Sequence, residues 1–329
     1  MSLRPVLALA LVLATALFAA RLTASELDLT AVPADCRWAL QVDAKPLLAG
    51  RLGGWLRQEA QQPEHAAGLQ FITQLTGCDP FTDLERVVIC GSDQDENHHL
   101  VIAKGRWNAE QLASVIVNAK GYRALQHQGV TLHRWLDEKK NDREQFGWVL
   151  GDRLAIGNTE NRLRASLDVF KGKAGARLPS PNAPTGALVA SVAVEDLAKL
   201  QEGKNDPGAR LLAQARTATL AVAEEGDLFA LRMDLIAKDA NTAQQMQQLV
   251  QGLVALGNLQ AGGDPKHGQP MPPAAKELLR NVQVRQEGPS VVVTSSVASQ
   301  AVIDLLEAKK KAERHSLMTP AEAAGAKDL

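Results

Sequence analysis

One stretch of this chain is written twice. Val101-Ile102-Ala103-Lys104-Gly105-Arg106-Trp107-Asn108-Ala109-Glu110-Gln111-Leu112 aligns with Leu235-Ile236-Ala237-Lys238-Asp239-Ala240-Asn241-Thr242-Ala243-Gln244-Gln245-Met246. The offset is 134 residues, with five identities in twelve. Each copy reads as an apolar strand running into a helix. The same offset sets Val88 on Val222. Upstream, Gln41-Val42-Asp43 resembles Ala193-Val194-Glu195 at an offset of 152. Downstream, Leu154-Ala155-Ile156 resembles Val291-Val292-Val293 at 137. The jump between 134 and 152 corresponds to a longer helical stretch after the first strand of copy one. A duplication constrains a fold strongly, because whatever unit one half can form the other must form too.

The series between these anchors supports that reading. Cys36–Val42 alternates as a strand. Leu47, Leu48, Leu52, Trp55 and Leu56 recur at helical spacing behind Pro46, and a second helix over Glu64–Thr76 ends at Gly77. Leu84–Cys90 and Leu100–Lys104 read as a hairpin, and Asn108 caps the next helix. Strand pieces follow at Arg123–His127 and Thr131–Leu136. Phe146–Leu150 and Arg153–Gly157 pair across Gly151-Asp152, and a helix then runs to about Phe170. After KGKAGARLPSPNAPTG (171–186) the order of strand, helix, hairpin, helix, hairpin, helix begins again. Hairpins in series favour antiparallel sheets. The expectation is therefore α+β: two related domains, each a mainly antiparallel sheet with helices packed on one face. The first domain is placed at 26–171, a linker at 172–186, the second domain at 187–314 and a disordered tail at 315–329.

The N-terminus carries an address. Arg4 precedes Val6–Ala20, fifteen residues without a charge, and Arg21 follows. That run is short for a membrane-spanning helix and suits a secretory signal at 1–25, cleaved near Ser25, with Ala20 or Ala24 as alternatives. An uncleaved anchor is the alternative reading. Removal of 1–25 takes away two basic residues and no acid, leaving a net charge of about −3. The expected location is extracytoplasmic, periplasmic or secreted, with no stable membrane span after cleavage. A near-neutral chain with one Tyr, five Trp and six Phe among 329 residues offers neither a basic field nor stacking platforms for nucleic acid.

The phrases VPADCRWALQVDAKPLL (32–48), TGCDPFTDLERVVI (76–89), VIAKGRWNAEQL (101–112) and GWVLGDRLAIGNTENRL (147–163) resemble a group of exported bacterial proteins of unknown function. The resemblance is clear over 32–169 and weak in the second half. It implies an exported tandem α+β protein and brings no catalytic residue with it.

Chemistry is sparse. The sequence holds no G-x-S-x-G, H-E-x-x-H, phosphate loop, G-x-G-x-x-G or EF-hand loop. Asp93, Asp95, Glu96, His98 and His99 bring carboxylates and imidazoles together. Asp93, Asp95, His98 and His99 are the weak candidates for a metal, and a polar hairpin tip explains them equally well. His127 and His133 lie in neighbouring strand candidates as a conceivable acid/base pair; the alternative is a polar sheet face. Of the three cysteines, Cys36 and Cys90 sit in strand-like runs. An oxidising compartment permits a Cys36–Cys90 disulfide, and three buried free thiols are the alternative. All five Trp precede residue 171, so a Trp-lined cleft in the first half is set against ordinary core packing. No cofactor is expected. The preferred function is a non-enzymatic envelope protein that engages an unidentified protein or envelope component, or plays a structural part. The alternatives are small-ligand binding in an inter-domain cleft or the Trp-rich half, and an unrecognised hydrolase.

Overall fold

The computed structural model describes residues 27–93, 95–138, 141–179, 188–193, 214–262 and 271–318. The expected signal, residues 180–186 of the expected linker, the helices expected over 197–200 and most of 209–215, and the tail beyond 318 lie outside these; residues 172–179 are described, and Ala176 and Leu178 pack into the first-half core instead of forming a linker. In chain order the elements are β1 (Trp38–Asp43), α1 (Ala44–Ala49), α2 (Arg51–Ala60), α3 (Pro63–Thr76), β2 (Leu84–Gly91), β3 (His99–Gly105), α4 (Ala109–Ile116), β4 (Arg123–His127), β5 (Val130–Asp137), β6 (Arg143–Leu150), β7 (Arg153–Gly157) and α5 (Glu160–Phe170). Then come β8 (Leu188–Ala193), β9 (Ala215–Glu225), β10 (Leu228–Ala237), α6 (Ala240–Gly262), α7 (Pro273–Arg280), β11 (Gln283–Glu287), β12 (Ser290–Ala298) and α8 (Ser299–Met318). The chain is α+β. No helix among the described residues is long and apolar enough to cross a membrane.

Local chemistry sets several boundaries. The Asn108 side chain accepts from the Gln111 amide at 3.0 Å and starts α4. Gly77 takes a left-handed φ of 64° and ends α3. Gly151, at φ 60°, turns β6 into β7. β1 begins two residues later than its apolar run suggests. The Cys36 amide donates to the Pro33 carbonyl in a turn, so Cys36 precedes the ladder instead of joining it.

All twelve strands hydrogen-bond into one antiparallel sheet, in the order β11-β12-β10-β9-β8-β1-β2-β3-β7-β6-β5-β4. From the centre outward the two halves run alike, β1-β2-β3-β7-β6 on one side and β8-β9-β10-β12-β11 on the other. The β4–β5 hairpin extends the first half only. The halves meet strand to strand, with Leu40 opposite Ala190. The expected pair of separate sheets is thus a single continuous sheet. One detail of the alignment does not survive the ladders. Val88 faces Ile102, yet Ala237 faces Ala215, so the residue beside Ile236 lies near Arg216 and not at Val222.

The cores of the two halves lie on opposite faces. Adjacent strand residues point to opposite sides. Val189 joins a cluster with Val88, Leu100, Ile102, Leu132, Trp148, Leu163 and Leu167. Its neighbour Leu188 packs against a cluster of Val222, Phe229, Leu231, Leu278, Val297 and Val302. A further cluster, of Leu235, Ala237, Met246, Val250, Val291 and Val293, shares Met233 with the latter and so shares its face. The first half is therefore covered by α5 and the segment 27–36, and the second by α6, α7 and α8 on the reverse side. Val101 and Leu235 are equivalent in the repeat. Leu235 is fully buried beneath α6, of 23 residues, whereas Val101 remains 38% exposed, and the helix that follows its strand, α4, has only 8 residues.

The insertion after β1 bridges the halves. The Glu224 carboxylate on β9 accepts from the Arg51 and Leu52 amides at 3.0 and 3.2 Å, supplying acceptors for the bare N-terminus of α2. Arg51 reaches Asp227 at 2.6 Å, and Glu59 at the other end of α2 pairs with Lys310 on α8. Leu52 packs into the second-half core. Glu224→Ala is expected to destabilise the protein by about 1 kcal/mol, the usual worth of a helix cap, read as a shifted urea midpoint.

Candidate functional site

Three features were weighed as sites. The first is the loop after β2. Asp93 receives the Asp95 amide at 2.8 Å, the Ser92 hydroxyl at 3.1 Å and lies 2.7 Å from His98 Nδ1. Asp95 receives the Asn97 amide and side chain at 2.9 and 2.8 Å. The His99 ring stands edge-on to Trp38, with centroids 5.0 Å apart. The acidic and imidazole groups are thus engaged in shaping the hairpin tip. Among the described residues no three His, Cys, Asp or Glu side chains converge as metal ligands.

The second is the histidine pair. Arg134 faces Arg123 and Val130 faces His127, so His127 shares a face with Val130, Leu132 and Arg134, while His133 opposes Ala124 on the other face. The sheet separates them. Arg164 Nη1 lies 2.9 Å from His127 Nδ1. A guanidinium only donates, so Nδ1 is the acceptor and Nε2–H donates to Asp168 at 2.6 Å. Both nitrogens are committed. His133 meets the Tyr122 hydroxyl at 3.2 Å, and burial lowers its pKa. The Trp residues do not gather either. Trp148 is a fully buried core residue, Trp107 caps the Asp152 carbonyl, and Trp38 donates to the Asp93 carbonyl.

The third, which periodicity alone did not single out, is the α2–α3 pair. α3 carries Leu69, Phe71, Ile72 and Leu75, but none of its described side chains is buried, and Phe71 is 63% exposed. Its main packing is on α2 and α4. A groove of about 490 Å³ runs between α2 and α3, lined by Leu56, Leu69, Ile72 and Phe81 with Glu59 and His65 at its polar margin. A second, of about 410 Å³, shares Leu69 and Phe81 with it. Of the large apolar residues exposed among the described residues, Phe71, Ile72, Val101, Val115 and Val117 belong to the first half. Sequence periodicity marks α3 as amphipathic. It cannot show that the apolar stripe lacks a partner among the described residues.

Beneath the first-half sheet lies a buried polar group. The Arg162 guanidinium donates to Cys36 Sγ at 3.3 Å, to Asp35 at 3.2 Å and to the Ser92 hydroxyl at 2.8 Å. The Cys36 and Cys90 thiols lie in one buried cluster. The neighbouring Cys90 thiol, together with Arg162, outweighs burial and lowers the Cys36 pKa, while Cys36 and burial push Cys90 well up. Cys78 stands apart in the turn after α3. Burial, with Asp83 and Asp79 nearby, raises it to about 11. All three are free thiols in this structure.

These features define an α+β protein on one twelve-stranded antiparallel sheet, with an apolar helical pair projecting from its first half. No family model and no curated protein matches the chain. Among solved structures it is similar to TP0453 in crystal form III, with a TM-score of 0.48, 8% identity, and coverage of 87% of this chain and 99% of that chain. Crystal form I of TP0453 gives a TM-score of 0.48 at 9% identity with the same coverage.

Proposed function

We propose that this is an exported, non-enzymatic envelope protein that binds another protein through the α2–α3 groove of its first half. The observation that carries the reading is α3 itself. Burying apolar surface stabilises a fold by roughly 25 cal/mol per Å², so a helix that leaves Phe71 and Ile72 in water forgoes that gain unless a partner supplies it. The groove has the form that receives the apolar face of a partner's amphipathic helix, with Ile72 beside Leu56, Leu69 and Phe81 in its lining and Phe71 exposed at the preceding position of α3. The N-terminal address supports an extracytoplasmic setting for that encounter.

A small-ligand cleft between the halves finds less support, because the described seam is the hydrogen-bonded β1–β8 pair. The hydrolase reading loses its base, since His127 holds Arg164 on one nitrogen and Asp168 on the other.

The test is in vivo crosslinking from a photoreactive residue at position 71, with position 283 on the far edge strand as control. A single partner protein captured from 71 and not from 283 supports the reading. Phe71→Glu is expected to abolish that capture and to leave thermal unfolding within about 2 °C of the parent, as for an exposed position. Equal capture from both positions, or crosslinks to lipid alone, would overturn it.

A further inference from the structure

We propose that Cys36 and Cys90 are an oxidisable pair that closes as a disulfide and pins the segment Leu27–Cys36 to β2. The two residues come from different parts of the fold. Cys90 is the fully buried penultimate residue of β2, and Cys36 ends a turn that lays the N-terminal segment over the same sheet face. Both thiols belong to one buried cluster, whereas Cys78 lies outside it. The segment already packs Leu27, Ala31 and Val32 into the first-half core and adds polar contacts. The Ser166 hydroxyl donates to the Ala31 carbonyl at 2.8 Å, the Ala176 amide to the Val32 carbonyl at 3.0 Å, and Asp28 bonds Arg153 at 2.8 Å.

The surroundings assign the roles. Arg162, itself buried, places a positive charge on Cys36 Sγ at 3.3 Å and is anchored by Asp35 and Ser92. A neighbouring cation favours the thiolate, which is the nucleophile in exchange. Cys36 therefore attacks and Cys90 resolves. With a low-molecular-weight disulfide as oxidant, the Cys36 thiolate attacks one sulfur of R–S–S–R and releases RS⁻. Cys90 then gives its proton to solvent and attacks the Cys36 sulfur of the mixed disulfide, releasing the second RS⁻. Two protein thiols are oxidised and one oxidant disulfide is reduced to two thiols. Both sulfurs are buried, so exchange takes place in a folding or locally opened chain. The closed loop from 36 to 90 contains β1 and all of α1–α3, so the bond constrains the whole bridging insertion in the unfolded state.

The experiment refolds the signal-free chain in mixtures of oxidised and reduced glutathione, alkylates free thiols and maps the peptides. The expected product joins the Cys36 and Cys90 peptides, leaves Cys78 alkylated, and melts on the order of 5–10 °C above the reduced form. A bridge that includes Cys78, or three alkylated thiols at every glutathione ratio, would overturn the proposal. Two variants test the roles. Cys90→Ala is expected to accumulate glutathione on Cys36, and glutathione on Cys78 alone contradicts that. Arg162→Gln is expected to slow closure at neutral pH several-fold without changing the pairing, and an unchanged rate removes Cys36 as the attacking thiol. Should either variant fail to fold, the wild-type peptide map decides the pairing. The cluster that holds the pair shares no residue with the lining of the α2–α3 groove, so the peptide map is read independently of partner binding.

Discussion

Trp148→Ala is expected to lower the unfolding free energy by about 3–5 kcal/mol, the largest single effect available in the first half. Trp148 is fully buried on β6, faces Ala155 across the ladder, and packs its ring 5.4 Å from that of Phe170 on α5. Alanine would leave a cavity where the sheet, α5 and the segment 27–36 meet, and a closed antiparallel ladder can collapse little to fill it. Among the described residues the indole N–H has no hydrogen-bond partner, so Trp148→Phe keeps a ring and removes that donor. The phenylalanine variant is therefore expected to lose far less stability than the alanine one. Chemical denaturation of the two variants beside the parent checks this; equal losses would mean that the site does not hold its cavity open.

Arg86→Met is expected to cost about 3 kcal/mol at neutral pH. Arg86 Nε bonds Asp43 at 2.5 Å and Nη1 reaches Asp28 at 3.3 Å, and both carboxylates are nearly sequestered, at 10% and 6% side-chain exposure. Removing the cation leaves Asp43 and Asp28 buried together, with Arg153 still on Asp28 at 2.8 Å. Adding Asp43→Asn should restore part of the loss, with a coupling of about 1–3 kcal/mol in the double-mutant cycle. Acid reports on the same network. Burial tends to raise the Asp28 pKa, but hydrogen bonds from Thr30 and the charge of Arg153 outweigh it and bring the folded value to about 2, below the ordinary 3.8. A carboxylate depressed on folding contributes stability that is complete above its unfolded pKa and is lost as pH falls through the folded one. Asp28 thus supplies about 2 kcal/mol above pH 4, disappearing towards pH 2. Arg86→Met is expected to lose less stability relative to the parent at pH 2.5 than at pH 7, and a constant difference would remove the network from the account.

Much of the local structure was legible because it rests on short-range rules. The Asn108 cap, the stop at Gly77, the Gly151 turn and the alternating strands are each fixed by a few residues. The extra length after β1 was legible as well, from the change of offset between the copies. Its destination was not. Glu224, Asp227 and Lys310 meet α2 from more than 170 residues away in sequence, and no local pattern marks that clamp. The histidines show the reverse failure. Neighbouring strands suggested a pair, but a hairpin register that puts His127 opposite Val130 sends His133 to the other face.

The sequence by itself determined the α+β class, the antiparallel hairpins and the order of elements in the first copy, because periodicity, caps and turns are properties of neighbouring residues. Only the tertiary structure decided that the copies share one sheet, that their cores lie on opposite faces, and that α3 is left without a covering layer. Those choices turn on which strand edges pair and on which side each helix lands. Both are settled by contacts between residues far apart in the chain, such as Leu40 with Ala190 and Leu52 with the core of the other half.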